Sequence, residues 1–204
     1  MIDLYTWSTP NGQKLQIMLE ETGLDYHLHP VNLGEGEQHA PEYLAVNPNA
    51  KIPTIVDHDG PGGEALPIFE SGAILLYLAE KSGSFLPADP QPRWQAISWL
   101  MFQMGGVGPF FGQAGYFRNR APEPVPAAIE RFTREAERLY GVVDHRLTEA
   151  EFLAGEYSIA DIACFPWMRV HQRLGIDVGD YPNVTRWLQA INARPAVKRW
   201  LALP

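Results

Sequence analysis

Glu70-Ser71, where an apolar run gives way to a helical pattern, is a pair whose side chains can hold both charges of an amino acid. A helix starting here presents unpaired N–H groups and the positive end of its dipole, and the Ser71 hydroxyl adds a donor, so a carboxylate fits. Glu70 beside it offers the opposite charge to an ammonium. The plainer reading is a capping serine next to a solvated glutamate. Upstream, Ile52-Pro53 opens another apolar run, and a proline at the first strand position costs no ladder bond. An X-Pro step can be cis. In that isomer the Ile52 main chain turns outward, ready to pair with an extended peptide as an added strand; in the trans isomer Pro53 is an ordinary edge-strand residue. Taken together, Asn49-Ala-Lys-Ile-Pro and Phe69-Glu-Ser-Gly-Ala-Ile describe a place where main chain and helix ends could hold a small anionic peptide.

Other chemistries are less well supplied. The single cysteine, Cys164, excludes an intrachain disulfide framework and any Cys-x-x-Cys redox or zinc motif, and it reads as a small buried hydrophobe. None of the six histidines sits in a His-x-x-x-His or carboxylate cluster at metal spacing. A net charge of −8 works against nucleic acid, whose phosphates require clustered Lys and Arg. The Met1-Ile-Asp-Leu start has no basic segment followed by an apolar run, and no stretch of eighteen apolar residues occurs, so neither leader nor membrane span is expected. A reducing cytoplasm is the expected address.

The elements that must position these residues follow from periodicity. Ile2 to Thr6 is strand-like and the Ser8-Thr-Pro-Asn-Gly stretch is turn chemistry. A helix follows, with Leu15, Met18, Leu19 and Thr22 at helical spacing and Gly23 at the left-handed stop. Tyr26 to Val31 alternates as a second strand, the polar segment Asn32 to Ala40 reads as an exposed loop, and Pro41 to Val46 suits a helical turn. Ile52 to Asp57 and Leu66 to Phe69 form a hairpin across Asp59-Gly-Pro-Gly-Gly, and Ser71 to Lys81 closes the half as a helix with Ala73, Ile74, Tyr77 and Leu78 on one face. The order β-α-β-(α)-β-β-α requires a mixed, four-stranded sheet with helices on its faces. With 46% apolar residues, the 204-residue chain can bury one large core or two modest ones. Residues 1–82 form the α/β domain, the Pro- and Gly-rich 83–92 a linker, and 93–204 an all-helical domain with helices at Arg93 to Met104, Pro126 to Thr148, Ser158 to Leu174 and Asn183 to Ala193. The Gly105-Gly-Val-Gly-Pro run must end or bend a helix. Ser158-Ile-Ala-Asp161 has the form of a capping box: a hydroxyl at the cap and a carboxylate three residues on, with Tyr157 and Ile162 as an apolar staple.

Taken in order, the Thr9-Pro-Asn-Gly loop, Lys51-Ile-Pro, Glu70-Ser-Gly-Ala-Ile-Leu-Leu-Tyr-Leu-Ala-Glu-Lys and the Ser-Ile-Ala-Asp cap resemble a cytosolic glutathione transferase across the whole chain. Ile2-Asp-Leu-Tyr, Asn32-Leu-Gly and Gly105-Gly-Val-Gly-Pro most resemble the bacterial nu class, glutathione-dependent disulfide-bond reductases. That resemblance implies a thioredoxin-like first domain, a cis Pro53, a homodimer, and glutathione as co-substrate with no tightly bound cofactor. It assigns Glu70 and Ser71 to the γ-glutamyl end, the Ile52 main chain beside Pro53 to the cysteinyl residue, and Gln38 to the glycyl end, with Lys51 in the same site. Arg131, on the long helix, would pair with a second carboxylate, against an equal reading as a solvated helix charge. Phe110, Phe111 and Tyr116 would lie near a second-substrate pocket or else form an aromatic core.

Thr9 and Asn11 occupy the loop where relatives place a Tyr, Ser or Cys beside the sulfur. A hydroxyl and an amide can donate to a thiolate, and a helix N-terminus adds positive potential; both lower a thiol pKa. The alternative for this loop is a turn and helix cap. With no cysteine there, sulfur chemistry must come from glutathione, which would reduce a small disulfide or hydroperoxide and leave as glutathione disulfide, or be conjugated to an electrophile. The alternatives are a conventional transferase conjugating electrophiles and a non-catalytic interaction module on the same fold.

Overall fold

A computed structural model describes residues 1–202 of the chain. In order come β1 (Ile2–Thr6), α1 (Pro10–Thr22), β2 (Tyr26–Pro30), α2 (Pro41–Leu44), β3 (Thr54–Asp57), β4 (Leu66–Phe69) and α3 (Ser71–Ser82). These are followed by α4 (Pro90–Phe102), α5 (Gly108–Asn119), α6 (Pro126–Glu149), α7 (Ile159–Met168), α8 (Pro182–Ala193) and α9 (Pro195–Leu201). The chain divides into two units, Met1–Ser84 with the segment from Pro195 onward, and Phe85–Arg194. In the first unit the sheet order is β2-β1-β3-β4, with β1 parallel to β2 and the other pairings antiparallel, the mixed sheet that the element order requires.

The register matters for function. Thr6 faces Pro30, Tyr5 faces Thr54 and Thr54 faces Phe69. The chain therefore leaves β1, β2 and β4, and enters β3, at one end of the sheet. Ile2 and Leu4 of β1 and Ile55 of β3 form a core with Leu15, Met18 and Leu19 of α1 and Ile74, Leu75 and Leu78 of α3, all essentially without exposure. Gly12 sets how closely α1 can approach β1, because a Cβ there would lie 2.2 Å from Thr6 Oγ1 and 2.4 Å from the Trp7 carbonyl oxygen. Gly23 stops the helix at φ 67°, the left-handed cap expected of it.

Several boundaries shift. β3 begins at Thr54 rather than Ile52, leaving Ile52 and Pro53 in the approach to the strand. On α3, Leu75 and Ala79 share the buried face with Ile74 and Leu78, whereas Ala73 is exposed. Tyr77 turns its hydroxyl to the buried Asp57 carboxylate at 2.5 Å. A helix covered by both the sheet and α1 buries a wider stripe than the 3.6-residue pattern isolates.

In the second unit the glycine-rich run bends the helix rather than ending it. Gln103–Val107 forms a π-helical turn between α4 and α5, and Pro109 falls in the first turn of α5, where a missing N–H is tolerated. α5 was not anticipated. Phe111 belongs to the core, stacked on Tyr140 with ring centroids 5.2 Å apart, so it is not a pocket residue. α7 ends at Met168 instead of running to Leu174, two residues after an interior proline, Pro166. Its capping box is complete: Ser158 Oγ accepts from the Ala160 N–H at 3.3 Å, and Asp161 Oδ2 accepts from the Ser158 N–H at 3.0 Å. Cys164 is buried in this helix.

α9 was also not anticipated, and it joins the first unit instead of the helical domain assigned to 93–204. Ala196, Val197 and Trp200 are buried. Trp200 Nε1 donates to Gln16 Oε1 at 3.2 Å, and Arg199 Nε donates to Glu20 Oε2 at 2.9 Å, both acceptors on α1. Among the described residues, no helix is long and apolar enough to cross a membrane.

Candidate functional site

Four loops meet at the sheet end defined by the register, and each carries a residue singled out from the sequence. Thr9, after β1, caps α1 with extended backbone (φ −128°, ψ 158°), and its Oγ1 accepts from the Gly12 N–H at 3.2 Å. A hydroxyl that accepts from an amide still has its own proton to donate, so the capping role and a sulfur contact are compatible. Asn11 is half-buried in the first turn of the same helix.

Gln38 lies in a 3-10 turn, Glu37–His39, after β2. The polar segment leading to it is folded on itself: the Asn32 N–H donates to Glu37 Oε2 at 2.6 Å and the Gly34 N–H to Asn32 Oδ1 at 2.9 Å. Gln38 Oε1 is buried with no hydrogen-bond partner. An amide oxygen withdrawn from water with nothing to accept from costs free energy, so a donor from outside the chain would be welcome there.

The approach to β3 is held from beneath. The Ile52–Pro53 peptide is cis, as the resemblance implied. The Lys51 carbonyl accepts from Asn47 Nδ2 at 2.6 Å and from the Tyr43 hydroxyl at 2.5 Å. Asn47 also donates to Thr54 Oγ1 at 2.8 Å, which lies 2.9 Å from the Tyr43 hydroxyl. Because Tyr43 gives its only proton to Lys51, Thr54 is the donor between the two hydroxyls. Asn47 is 1% exposed, so this network is buried and fixes both ends of the segment, leaving the Lys51 side chain at the surface.

The fourth loop is the step from β4 into α3. Glu70 takes φ 71° and ψ 113°, a region that non-glycine residues rarely adopt, and its carboxylate is exposed, with Asn49 Nδ2 3.4 Å away. Ser71 is the first residue of α3 rather than its cap, and it is 3% exposed. Its Oγ accepts from Lys14 Nζ at 3.1 Å. The two helices α1 and α3 thus bring their N-terminal turns, each a seat for negative charge, to this end of the sheet.

Arg131 belongs to the second unit. It is exposed on α6 of the second unit, where its charge helps to lower the pKa of Glu135 after the stronger hydrogen bond from Arg138. Sequence reasoning missed Lys14, Tyr43 and Asn47. The signal for Lys14 was its place next to Leu15 and one turn from Met18, on the apolar stripe of α1. For Tyr43 and Asn47 no local pattern exists, because their partners lie across a loop. Among the described residues, no group of three or more His, Cys, Asp or Glu side chains could hold a metal ion.

A mixed sheet of order β2-β1-β3-β4 with a cis proline at the approach to β3, followed by a helical unit, defines the class of fold. Family models for the glutathione S-transferase N-terminal domain and C-terminal domain match residues 9–81 and 109–195, and the chain belongs to the glutathione S-transferase family. It is 52% identical over 198 residues to the disulfide-bond oxidoreductase YfcG of Escherichia coli (strain K12), covering 96% of this chain and 92% of the relative. A glutathione transferase from Burkholderia graminis, solved with two glutathione molecules bound per subunit, superimposes with a TM-score of 0.94 at 48% identity, covering 100% of this chain and 88% of that one. Another from Pseudomonas putida, solved with one glutathione disulfide bound per subunit, gives a TM-score of 0.94 at 47% identity, covering 100% and 91%.

Proposed function

We propose that the protein is a glutathione-dependent disulfide-bond reductase of the nu type, working in the cytoplasm as a homodimer. The observation that carries this reading is the convergence of Thr9, the Ile52-Pro53 main chain and Glu70-Ser71 at one sheet end, in a chain whose only cysteine is buried in the other unit. The first unit acts as the glutathione-binding domain. Glu70 takes the γ-glutamyl ammonium and Ser71 its carboxylate, the Ile52 main chain pairs with the cysteinyl residue, and Gln38 and Lys51 serve the glycyl end.

Sulfur is then delivered to the N-terminal turn of α1, where the Thr9 hydroxyl and the Asn11 amide donate to it. These donors and the helix dipole shift the thiol toward thiolate, the attacking form. The thiolate attacks one sulfur of a substrate disulfide, forming a glutathione mixed disulfide and expelling the other sulfur as a thiolate that takes up a proton. A second glutathione thiolate attacks the glutathione sulfur of that intermediate, releasing the second substrate thiol and leaving glutathione disulfide. Two glutathione molecules are oxidised and one disulfide is reduced to two thiols. The relatives solved with two glutathiones and with glutathione disulfide support this sequence.

Turnover of hydroxyethyl disulfide with glutathione, compared with conjugation of an aryl halide, tests the reading. The disulfide reaction is expected to be the faster. The reverse ratio would make the protein a conventional transferase, and failure to bind glutathione at millimolar concentration would remove the enzyme reading altogether.

A further inference from the structure

Lys14 is a charged residue for which the proposed mechanism has no use. It lies one turn into α1, is 0% exposed, and donates from Nζ to Ser71 Oγ at 3.1 Å across 57 residues of sequence. Lysine is among the residues least often fully buried, and withdrawing an ammonium from water is costly. Here the cost is met directly beneath the residue assigned to the γ-glutamyl carboxylate.

We propose that Lys14 is the charged floor of the carboxylate subsite: a positioning residue that orients Ser71 as a donor and supplies the cationic charge that selects an α-carboxylate. This rests on the glutathione reading of the site. An ammonium can only donate, so toward Lys14 the Ser71 oxygen acts as acceptor, and its own O–H is polarised as the donor that a carboxylate requires. A carboxylate accepting from Ser71 lies one hydroxyl away from the ammonium, in surroundings where charge is poorly screened. The first-turn amides of α3 add the directional part of the seat, and Lys14 adds net charge. Since Lys14 lies on the helix that Thr9 caps and whose first turn holds Asn11, it also ties the carboxylate seat to the loop assigned to sulfur.

The test compares glutathione with 4-aminobutyryl-cysteinylglycine, which lacks only the α-carboxylate, by calorimetric titration of the full chain. The wild-type protein is expected to prefer glutathione by about 10- to 100-fold, the range of a hydrogen bond to a charged group. In Lys14→Met the preference collapses to a few-fold while the affinity for the analogue holds, and Lys14→Arg restores it. A lysine that only supports the fold would weaken both ligands alike, and an unchanged ratio in Lys14→Met overturns the proposal while leaving the glutathione reading standing. A wild-type protein that binds neither ligand overturns both. Lys14→Gln, which keeps an N–H donor without the charge, carries the same comparison if Lys14→Met does not fold, with the same collapse expected and the same unchanged ratio refuting it.

Discussion

Glu70 combines a strained backbone with an exposed charge, and the two can be separated experimentally. A non-glycine residue at φ 71°, ψ 113° costs on the order of 1–3 kcal/mol, while glycine loses about 0.5–1 kcal/mol in chain entropy. Glu70→Gly should therefore raise the stability of the free protein by about 1 kcal/mol while weakening glutathione binding at least tenfold, because the ammonium loses a charged partner. Melting temperature and glutathione affinity, measured on one preparation, check both halves; a lower melting temperature would show that the conformation is not strained. Glu70-Ser71 and Ile52-Pro53 were legible in the sequence because each motif is a run of adjacent residues. The strain at Glu70 was not legible, since it arises from the geometry of leaving β4 for α3. Nor was Lys14 legible, because a lysine in a helix is ordinarily solvated and only the tertiary approach of α3 to α1 buries it.

At the scale of the element, α7 shows how much a local pattern can carry. The Ser158-Ile-Ala-Asp161 box was readable because cap and carboxylate stand three residues apart and their amide partners lie within the same four residues. Sequence could not show that Asp161 Oδ1 also accepts from the Leu153 N–H at 3.0 Å and from Trp187 Nε1 at 2.9 Å, tying two further segments to the start of the helix. Burial pushes the Asp161 carboxyl from its ordinary 3.8 up to about 6, against the opposing pull of those hydrogen bonds. Between these values the folded chain holds a proton that the unfolded chain has released, so the contribution of Asp161 to stability falls as pH rises through the window, by on the order of 3 kcal/mol. Asp3 acts in the opposite sense: hydrogen bonds from His58 and His29 hold its carboxyl below 3.8, so its contribution is present above that value and lost as pH falls through the lowered one. Denaturant titrations of wild type and Asp161→Asn from pH 4 to 7 should differ in slope only over the Asp161 window; parallel profiles would place its pKa elsewhere. α5 and α9 escaped prediction for different reasons. Glycines 108, 112 and 115 dilute the apolar period of one, and the other is short, its buried face making sense only against α1.

For the whole molecule, the order of elements was enough to require a mixed sheet, because a β-α-β unit and a following hairpin allow few other arrangements. The meeting of four loops at one end follows from the register, which no single motif encodes. A thioredoxin-like sheet that does disulfide chemistry without a cysteine in its first loop must take its sulfur from the ligand. The only thiol of the chain, Cys164, is 0% exposed within α7, and a thiol in apolar surroundings is a poor nucleophile. The measurement that tests this most directly is steady-state reduction of hydroxyethyl disulfide by glutathione with Cys164→Ala. Turnover within about twofold of wild type is predicted, since a buried one-atom truncation of this kind costs on the order of 1 kcal/mol of stability and leaves the sheet end intact. Loss of turnover in a folded Cys164→Ala protein would place the reacting sulfur in the chain and contradict the account.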